Sequence, residues 1–454
     1  MSSLHKNNKS KVMKQIQNGV LDDIVASNKN LVDDIILSMH HEGILDCLNK
    51  GFPDKRNSNS FIPMNTIMAL AIAAKMKVMT SLTDIPYAIK DHNLLSELGY
   101  NISTRPNGWF TEGTIRHLIG KYAHMDFFNY YNKVVQELIF SKMDILTEIH
   151  ILDCTKIAVN FDNANYENSS YAIDRKGDKM RGYKLASIRG LYGDTGIIED
   201  IRFDTASVHD LELSREMLLT SPCLHENDVI LMDRGFFSRE IIKFLKEKRK
   251  VDVYIPLKKN FSEYNMAVAI AEETDDWKPH PTRKDQMICH VPYVDATYDG
   301  NEVEHVVPLN AAVVWFQDTQ SYVVFVTTDM SKSAEEIIRM YELRTEIEED
   351  FRQLKDFWKM EDFKSTKLNT ISFHIICVLF GYLFYQLYLN TDDGQKYVGK
   401  CLPVILKTYK SEFTGYLTLY SGEYYCVVSM SELLQLFANS NDSVRKLILK
   451  CLDK

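Results

Sequence analysis

Residues 148–161 read EIHILDCTKIAVNF, two short apolar runs rich in β-branched residues (IHIL and KIAVNF) on either side of Asp153. Runs of this length and composition predict strands rather than helices. The same texture returns in GIIEDIRF (196–203), in DVILM (228–232) directly before Asp233, and in VDVYIP (251–256). Residues 209–219 carry helical charge alternation between the third and fourth of these runs, and residues 239–248 supply a second helix after Asp233. Strands, helix, strand, helix, strand is the order of a mixed α/β unit.

That order matches a ribonuclease H-like sheet, although other α/β folds begin in the same way. Outward from it, the texture changes twice. Upstream, residues 1–146 show apolar spacing of helical period at 21–39 and 67–78, broken by the polar, proline-containing stretch 51–63. This predicts a helical N-terminal domain, in which helix-turn-helix DNA binding and a plain bundle share one signature. Downstream, MICHVPYV, EVEHVVPL, AAVVWFQ and YVVFVTT follow one another with turns between them, so residues 258–327 are expected to be an all-β insertion. Helical patterning resumes at Ser331. The expected partition is a helical domain at 1–146, an α/β core at 147–257 and 328–393, the insertion at 258–327, and a helical tail at 394–454.

Bulk composition narrows the function less. The 454 residues are 45% hydrophobic and 25% charged, an ordinary globular balance with room for several domains. The net charge of −9 argues against a dedicated nucleic-acid binder, because phosphate contacts need Lys and Arg. Eight scattered cysteines form no close metal-type spacing, which fits a reduced, cytoplasmic setting. The N-terminal lysines have no apolar run behind them, unlike a signal peptide. Residues 371–389, ISFHIICVLFGYLFYQLYL, approach the length of a membrane span, but their Ser, His, Gln and Tyr content favours a buried amphipathic core helix.

Three acids are candidates for chemistry. Asp153 and Asp233 are each delivered by an apolar strand, at or near its end, where open α/β sheets bind ligands, and Gly235 allows a tight turn after the second. A strand-end carboxylate also occurs simply where the chain enters solvent. The third candidate lies on a helix expected to run unbroken through 331–357. There Tyr341, Arg344, Glu348 and Lys355 are spaced by three, four and seven residues. At about 100° per residue they share an arc of roughly 60°. Glu346, Glu349 and Asp350 point away from that arc. A solvated face with intrahelical ion pairs has the same pattern.

At these positions the chain resembles the insertion-sequence-four family of DDE transposases. The Tyr, two, Arg, three, Glu, six, Lys spacing is the family's signature, Asp233-Arg234-Gly235-Phe236 is similar to its second-acid motif, and Leu152-Asp153-Cys154-Thr155 to its first. The resemblance covers about residues 60–390 and implies a ribonuclease H-like core with a β-rich insertion. It further implies DNA cleavage and strand transfer at an element's terminal inverted repeats, with a homodimer on double-stranded DNA in a prokaryotic cytoplasm. Asp153, Asp233 and Glu348 become catalytic metal ligands. An all-carboxylate set suits hard cations, Mg²⁺ or Mn²⁺ in its place. Tyr341, Arg344 and Lys355 are then expected to hold DNA, and Trp277 or Trp315 to stack on a displaced base, although both are also ordinary core residues. A ribonuclease H-like nuclease that never rejoins ends, and a non-catalytic DNA-binding descendant, share much of this signature.

The charge objection has a local answer. Arg175, Lys176, Lys179, Arg181, Lys184 and Arg189 form one basic group, the lysines and arginine of 243–259 a second, and Lys6, Lys9, Lys11 and Lys14 a third. Arg181, Lys184 and Arg234 are expected to contact DNA.

Overall fold

The structure, a computed structural model, describes residues 6–26, 30–51, 54–56, 62–89, 91–99, 110–142, 147–174, 177–193, 195–300, 303–409 and 416–452. Its strands are, in chain order, β1 (Lys6–Asn7), β2 (Asp23–Ala26), β3 (Ile149–Val159), β4 (Ser170–Ile173), β5 (Lys179–Tyr192), β6 (Thr195–Thr205), β7 (Val229–Met232), β8 (Asp252–Pro256), β9 (Lys278–Pro279), β10 (Gln286–Gly300), β11 (Val303–Phe316), β12 (Ser321–Thr327), β13 (Tyr416–Ser421) and β14 (Tyr424–Ser429).

Ten strands make one mixed sheet in the order β4-β5-β3-β7-β8-β12-β11-β10-β9, with β6 on the outer edge of β5. Only β3–β7 and β7–β8 are parallel. β7 is four apolar residues, buried from both sides as a central parallel strand must be. This is the mixed α/β sheet with flanking helical regions expected from a ribonuclease H-like core. IHIL and KIAVNF are not two strands, however. β3 runs unbroken through Asp153 because its antiparallel partner β5 pairs with it from His150↔Gly190 to Val159↔Arg181. β5 itself was not anticipated.

The stretch 258–327 is β-rich but not all-β, since it opens with the helix Ser262–Thr274. Tyr264, Ala267 and Ala271 bury one face of that helix against the sheet. Nor are its strands a separate layer: β12 pairs with β8, from Phe325↔Pro256 to Thr327↔Tyr254, and so extends the central sheet.

Two apolar cores lie on opposite faces of the sheet. Alternate residues of β3 divide between them, Ile151 and Ile157 on one face and Leu152 on the other. The first core is centred on the helix Leu368–Leu389, which packs against Met64–Met76 and His124–Lys142. It is buried all round rather than along one stripe, so it is not amphipathic; 89% of its most apolar window lies inside the fold. Gly381 permits the close approach, because a Cβ there would lie 3.1 Å from the side chains of Met76 and Trp358. All eight cysteines are free.

The tail is not simply helical. β13 and β14 form a hairpin that pairs with β2 and β1, giving a four-stranded sheet from the first and last described segments. The helices Lys9–Gln17, Met430–Asn439 and Asp442–Leu452 close a third small core over it. Residues 6–26 therefore build their sheet and small core with 416–452 rather than with the helical region they precede.

Candidate active site

The site begins with a register. β3 and β7 run parallel, and their last pair is Leu152↔Met232. β7 ends there, so the next position on each chain is an acid: Asp153, still inside β3, and Asp233, at the first residue beyond β7. Asp153 is thus not at the end of its own strand. It sits where its strand loses a neighbour, which leaves a gap in the sheet beside the carboxylate. Asp233 heads a single 3₁₀ turn, Arg234–Phe236, closed by Phe236 N–H donating to the Asp233 carbonyl at 2.9 Å. Gly235 has no positive φ, and a Cβ on it would meet only Asp210 Oδ2 at 3.8 Å. That turn does not require glycine.

The third acid comes from the face that covers Ile151. Here the expected single helix is two, Ala334–Glu342 and Thr345–Asp356. Leu343 and Arg344 keep right-handed helical dihedrals between them. Leu343, Arg344 and Glu346 donate to the carbonyls of Met340, Tyr341 and Leu343, an i→i−3 pattern that tightens the turn. The tightening falls between Tyr341 and Glu348, and it directs Arg344 inward. Its Nη1 donates to Asp153 Oδ2 at 2.9 Å and its Nη2 to Glu348 Oε1 at 2.6 Å. One guanidinium therefore bridges two of the three acids.

Burial alone would lower the pKa of Arg344. The surrounding Tyr341, Asp153, Glu348 and Asp233 outweigh it and hold the guanidinium above its ordinary range. Among the described residues, Asp233 has no hydrogen-bond or ion-pair partner of its own, and Asp153 also accepts from the Cys154 N–H at 2.7 Å. Tyr341 lies with its ring 4.9 Å from Phe325 of β12 and 5.8 Å from the Arg344 guanidinium. Burial, and then the nearby acids, push its hydroxyl above the usual tyrosine range despite Arg344.

The Thr345–Asp356 helix is fixed by a contact that was not anticipated. Arg189 of β5 donates to Asp350 Oδ2 at 2.5 Å, and the Tyr382 hydroxyl donates to Asp350 Oδ1 at 2.8 Å. Asp350 is buried two residues from Glu348, so the ion pair sets the rotation of the helix and with it the direction of Glu348. An acid off the chemical face of a patterned helix, with a basic residue in an adjacent strand, was the available signal.

Other expected contacts lie elsewhere. Lys184 is 5% exposed, ion-paired to Asp210 at 2.6 Å, and shares the face of Leu152, away from Glu348. Its ammonium is committed to Asp210, whose carboxylate also lies beside Gly235. Arg181 ties down the loop before β4, donating to Ser169 Oγ at 2.7 Å and to the Ala164 carbonyl at 3.3 Å. Lys355 donates to the Lys156 carbonyl of β3 and lies 3.5 Å from Glu361, so it fastens the end of the helix. Arg234 is exposed beside Asp233. Trp277 and Trp315 are half-buried and pack on each other (5.5 Å) and on Tyr322. Trp315 and Tyr322 pair across β11 and β12. Trp315 lies beyond the same strand ends as Asp233, three strands across and roughly 10 Å further along than Phe325.

The basic groups also divide. Arg175 and Lys176 lie outside the described residues. Arg249 and Lys246 are tied to carbonyls and to Asp252 at the opposite end of the strands, whereas Lys258 and Lys259 follow β8 at the Asp233 edge.

The all-oxygen donor set of Asp153, Asp233 and Glu348 fits a hard divalent cation in kind. Among the described residues, no three acidic, histidine or cysteine side chains stand close enough together to form a ready-made metal cluster. Arg344 stands between two of these carboxylates.

No curated protein matches the chain. Residues 146–384, more than half its length, match the family described as the transposase DDE domain, and they span β3, β7 and the helix of Glu348. The chain belongs to the transposase DDE domain family.

Proposed function

We propose that this protein is a cut-and-paste transposase of the insertion-sequence-four type, cleaving the terminal inverted repeats of its own element and joining the freed ends to new DNA. The observation that carries the reading is the bridge of Arg344 between Asp153 and Glu348, with Asp233 next in register beside Asp153. Three carboxylates close to one guanidinium form a charge-dense site beyond the end of a central strand, suited to metal-assisted phosphoryl transfer.

Asp153, Asp233 and Glu348 would hold Mg²⁺, with Mn²⁺ as a substitute. Bound there, divalent ions supply Lewis-acid stabilisation of charge at the reacting phosphorus and lower the pKa of an attacking hydroxyl or water. The remaining work belongs to the chain. Arg344 turns from the carboxylates to a phosphate, for which its planar fork is suited. Tyr341, packed on Phe325, limits solvent at one side of the site. Arg234, Lys258 and Lys259 draw the DNA backbone to the Asp233 edge, and a local positive rim suffices although the whole chain is acidic. Two copies acting on paired ends in the cytoplasm complete the reading.

A supercoiled plasmid carrying the DNA that flanks the reading frame tests it. Double-strand release followed by integration elsewhere is the expected result. Hydrolysis without rejoining would mean a nuclease, and cutting that survives Glu348→Gln would remove the site assignment.

A further inference from the structure

A second site lies beyond the C-terminal end of the Glu348 helix. A cavity of about 60 Å³ is bounded by the end of the Met64–Met76 helix and the turn after it, by the Glu112–Ile119 helix, and by the segment leading into Leu368–Leu389. Lys75, Arg116 and Lys364 contribute cationic side chains, and Thr80, Ser365 and Thr370 contribute hydroxyls. Among the described residues that line it there is no acid. In a chain of net charge −9, that lining is unusual.

Lys75 forms the floor. It is 1% exposed, and its ammonium donates to the carbonyls of Met79 at 3.0 Å and Thr80 at 3.2 Å. An ammonium has three donors, and among the described residues no carboxylate lies within ion-pairing range of this one. A buried charge without a counter-charge is costly, and burial accordingly lowers Lys75 to about 8, with Cys377, Asp84 and Asp362 opposing. It remains largely charged at neutral pH. The neighbouring His374 is neutral, held down to about 3 by burial first and by Lys75 second. At the rim, Arg116 and Lys364 are exposed and, among the described residues, pair with surface acids, Glu112 at 3.3 Å and Asp362 at 2.6 Å. Such pairs are worth at most about 1 kcal/mol and exchange readily for another anion.

We propose that this cavity holds a phosphate group of the DNA backbone, gripped by Lys75 from below and by Arg116 and Lys364 from the rim. The proposal rests on the DNA-processing reading above. The volume suits it: at 10–15 Å³ per water-sized group, the space takes about four to six such groups, the size of a tetrahedral oxyanion and too small for a base. Hydroxyls beside Lys and Arg are the usual phosphate contacts. An exposed cationic rim admits a polymer that stays outside while one phosphate enters. The position suits it as well, since Lys364 and Ser365 follow the Glu348 helix in the chain. A duplex held here is held by the same segment that anchors the candidate active site.

The test measures binding of a double-stranded DNA of arbitrary sequence against salt, for wild type, Lys75→Met, and Arg116→Gln with Lys364→Gln. The site engages one phosphate, so losing its grip should lower the slope of log K against log salt by up to roughly one in either variant. Lys75→Met removes a buried charge, and an unchanged denaturation midpoint establishes that it folds; the double variant alters only exposed side chains. Wild-type binding with unchanged slopes in both variants overturns the phosphate site alone. Absence of wild-type binding would instead overturn the DNA-processing reading on which it rests. Inorganic phosphate is the second probe: if it raises the wild-type melting temperature but not that of Lys75→Met, while DNA slopes stay equal, the ligand is free phosphate and the DNA assignment is wrong.

Discussion

Strand β3 carries two clusters of charge three residues apart, and they behave as opposites. At His150, both ring nitrogens meet carboxylates, Glu199 at 2.7 Å and Asp228 at 3.0 Å, with Tyr192 donating to Glu199 at 2.5 Å. The His150 and Glu199 side chains are 1% exposed. At Asp153, the side chains of Asp153, Arg344 and Glu348 are 10, 14 and 37% exposed. The first cluster is closed: its groups are paired with one another and have no access to a ligand. The second is graded from buried to open, and its central cation has a fixed charge but exchangeable partners. Burial of charge by itself therefore does not mark a functional site in this sheet. What separates the candidate site from the closed cluster is an outward path for its charged groups.

The largest effect expected from this contrast is kinetic. Asp153→Asn should leave the fold intact and lower DNA cleavage by on the order of 10³-fold or more, about 4 kcal/mol of barrier, read as single-turnover nicking of supercoiled DNA. Retained cleavage would make the two clusters equivalent. His150→Leu should do the reverse. It leaves Glu199 and Asp228 facing each other without a cation, and should reduce unfolding free energy by about 3 kcal/mol in a denaturant titration. The folded variant should keep most of its cleavage activity per molecule.

A third measurement sharpens the closed cluster. Burial lowers the His150 pKa, but Glu199 and Asp228 outweigh it and raise it from 6.5 to about 9. A folded pKa above the unfolded one stabilises fully below about 6.5, and that stabilisation is lost as pH rises through about 9. Unfolding free energy of wild type should fall across that window, and this component should be missing from His150→Leu. The smallest effect is expected at Lys184, which is bound to Asp210 on the far face. Lys184→Met should change DNA affinity less than about twofold, whereas a larger loss would reopen it as a contact.

Much of the candidate site was legible because it is local. The apolar run before Asp233 and the helical spacing around Glu348 depend on neighbours a few residues away. What was hidden depends on distant partners. β5 reads as a basic stretch because Lys184 and Arg189 are charged, and the acids that neutralise them inside the fold are Asp210 and Asp350, the latter 161 positions on. The Arg344 bridge needed the tight turn after Tyr341, which no residue preference announces. Ser262–Thr274 buries only Tyr264 and two alanines on its apolar face, too weak a stripe to stand out from the strands around it. β1 and β2, two and four residues long, are strands only because the β13–β14 hairpin pairs with them.

That last sheet has a consequence for how the molecule is made. The Gly422 N–H donates to Asp22 Oδ2 at 2.5 Å across 400 positions, and Cys451 Sγ to the Leu21 carbonyl across 430. During synthesis, β2 and the Lys9–Gln17 helix leave the ribosome early and wait, without their partners, until almost the whole chain has followed. Contacts of such separation form late and after the loop between them has closed. The small sheet therefore closes late, and a chain cut short before residue 416 would carry β2 as an unpaired strand edge, open to proteases and to aggregation.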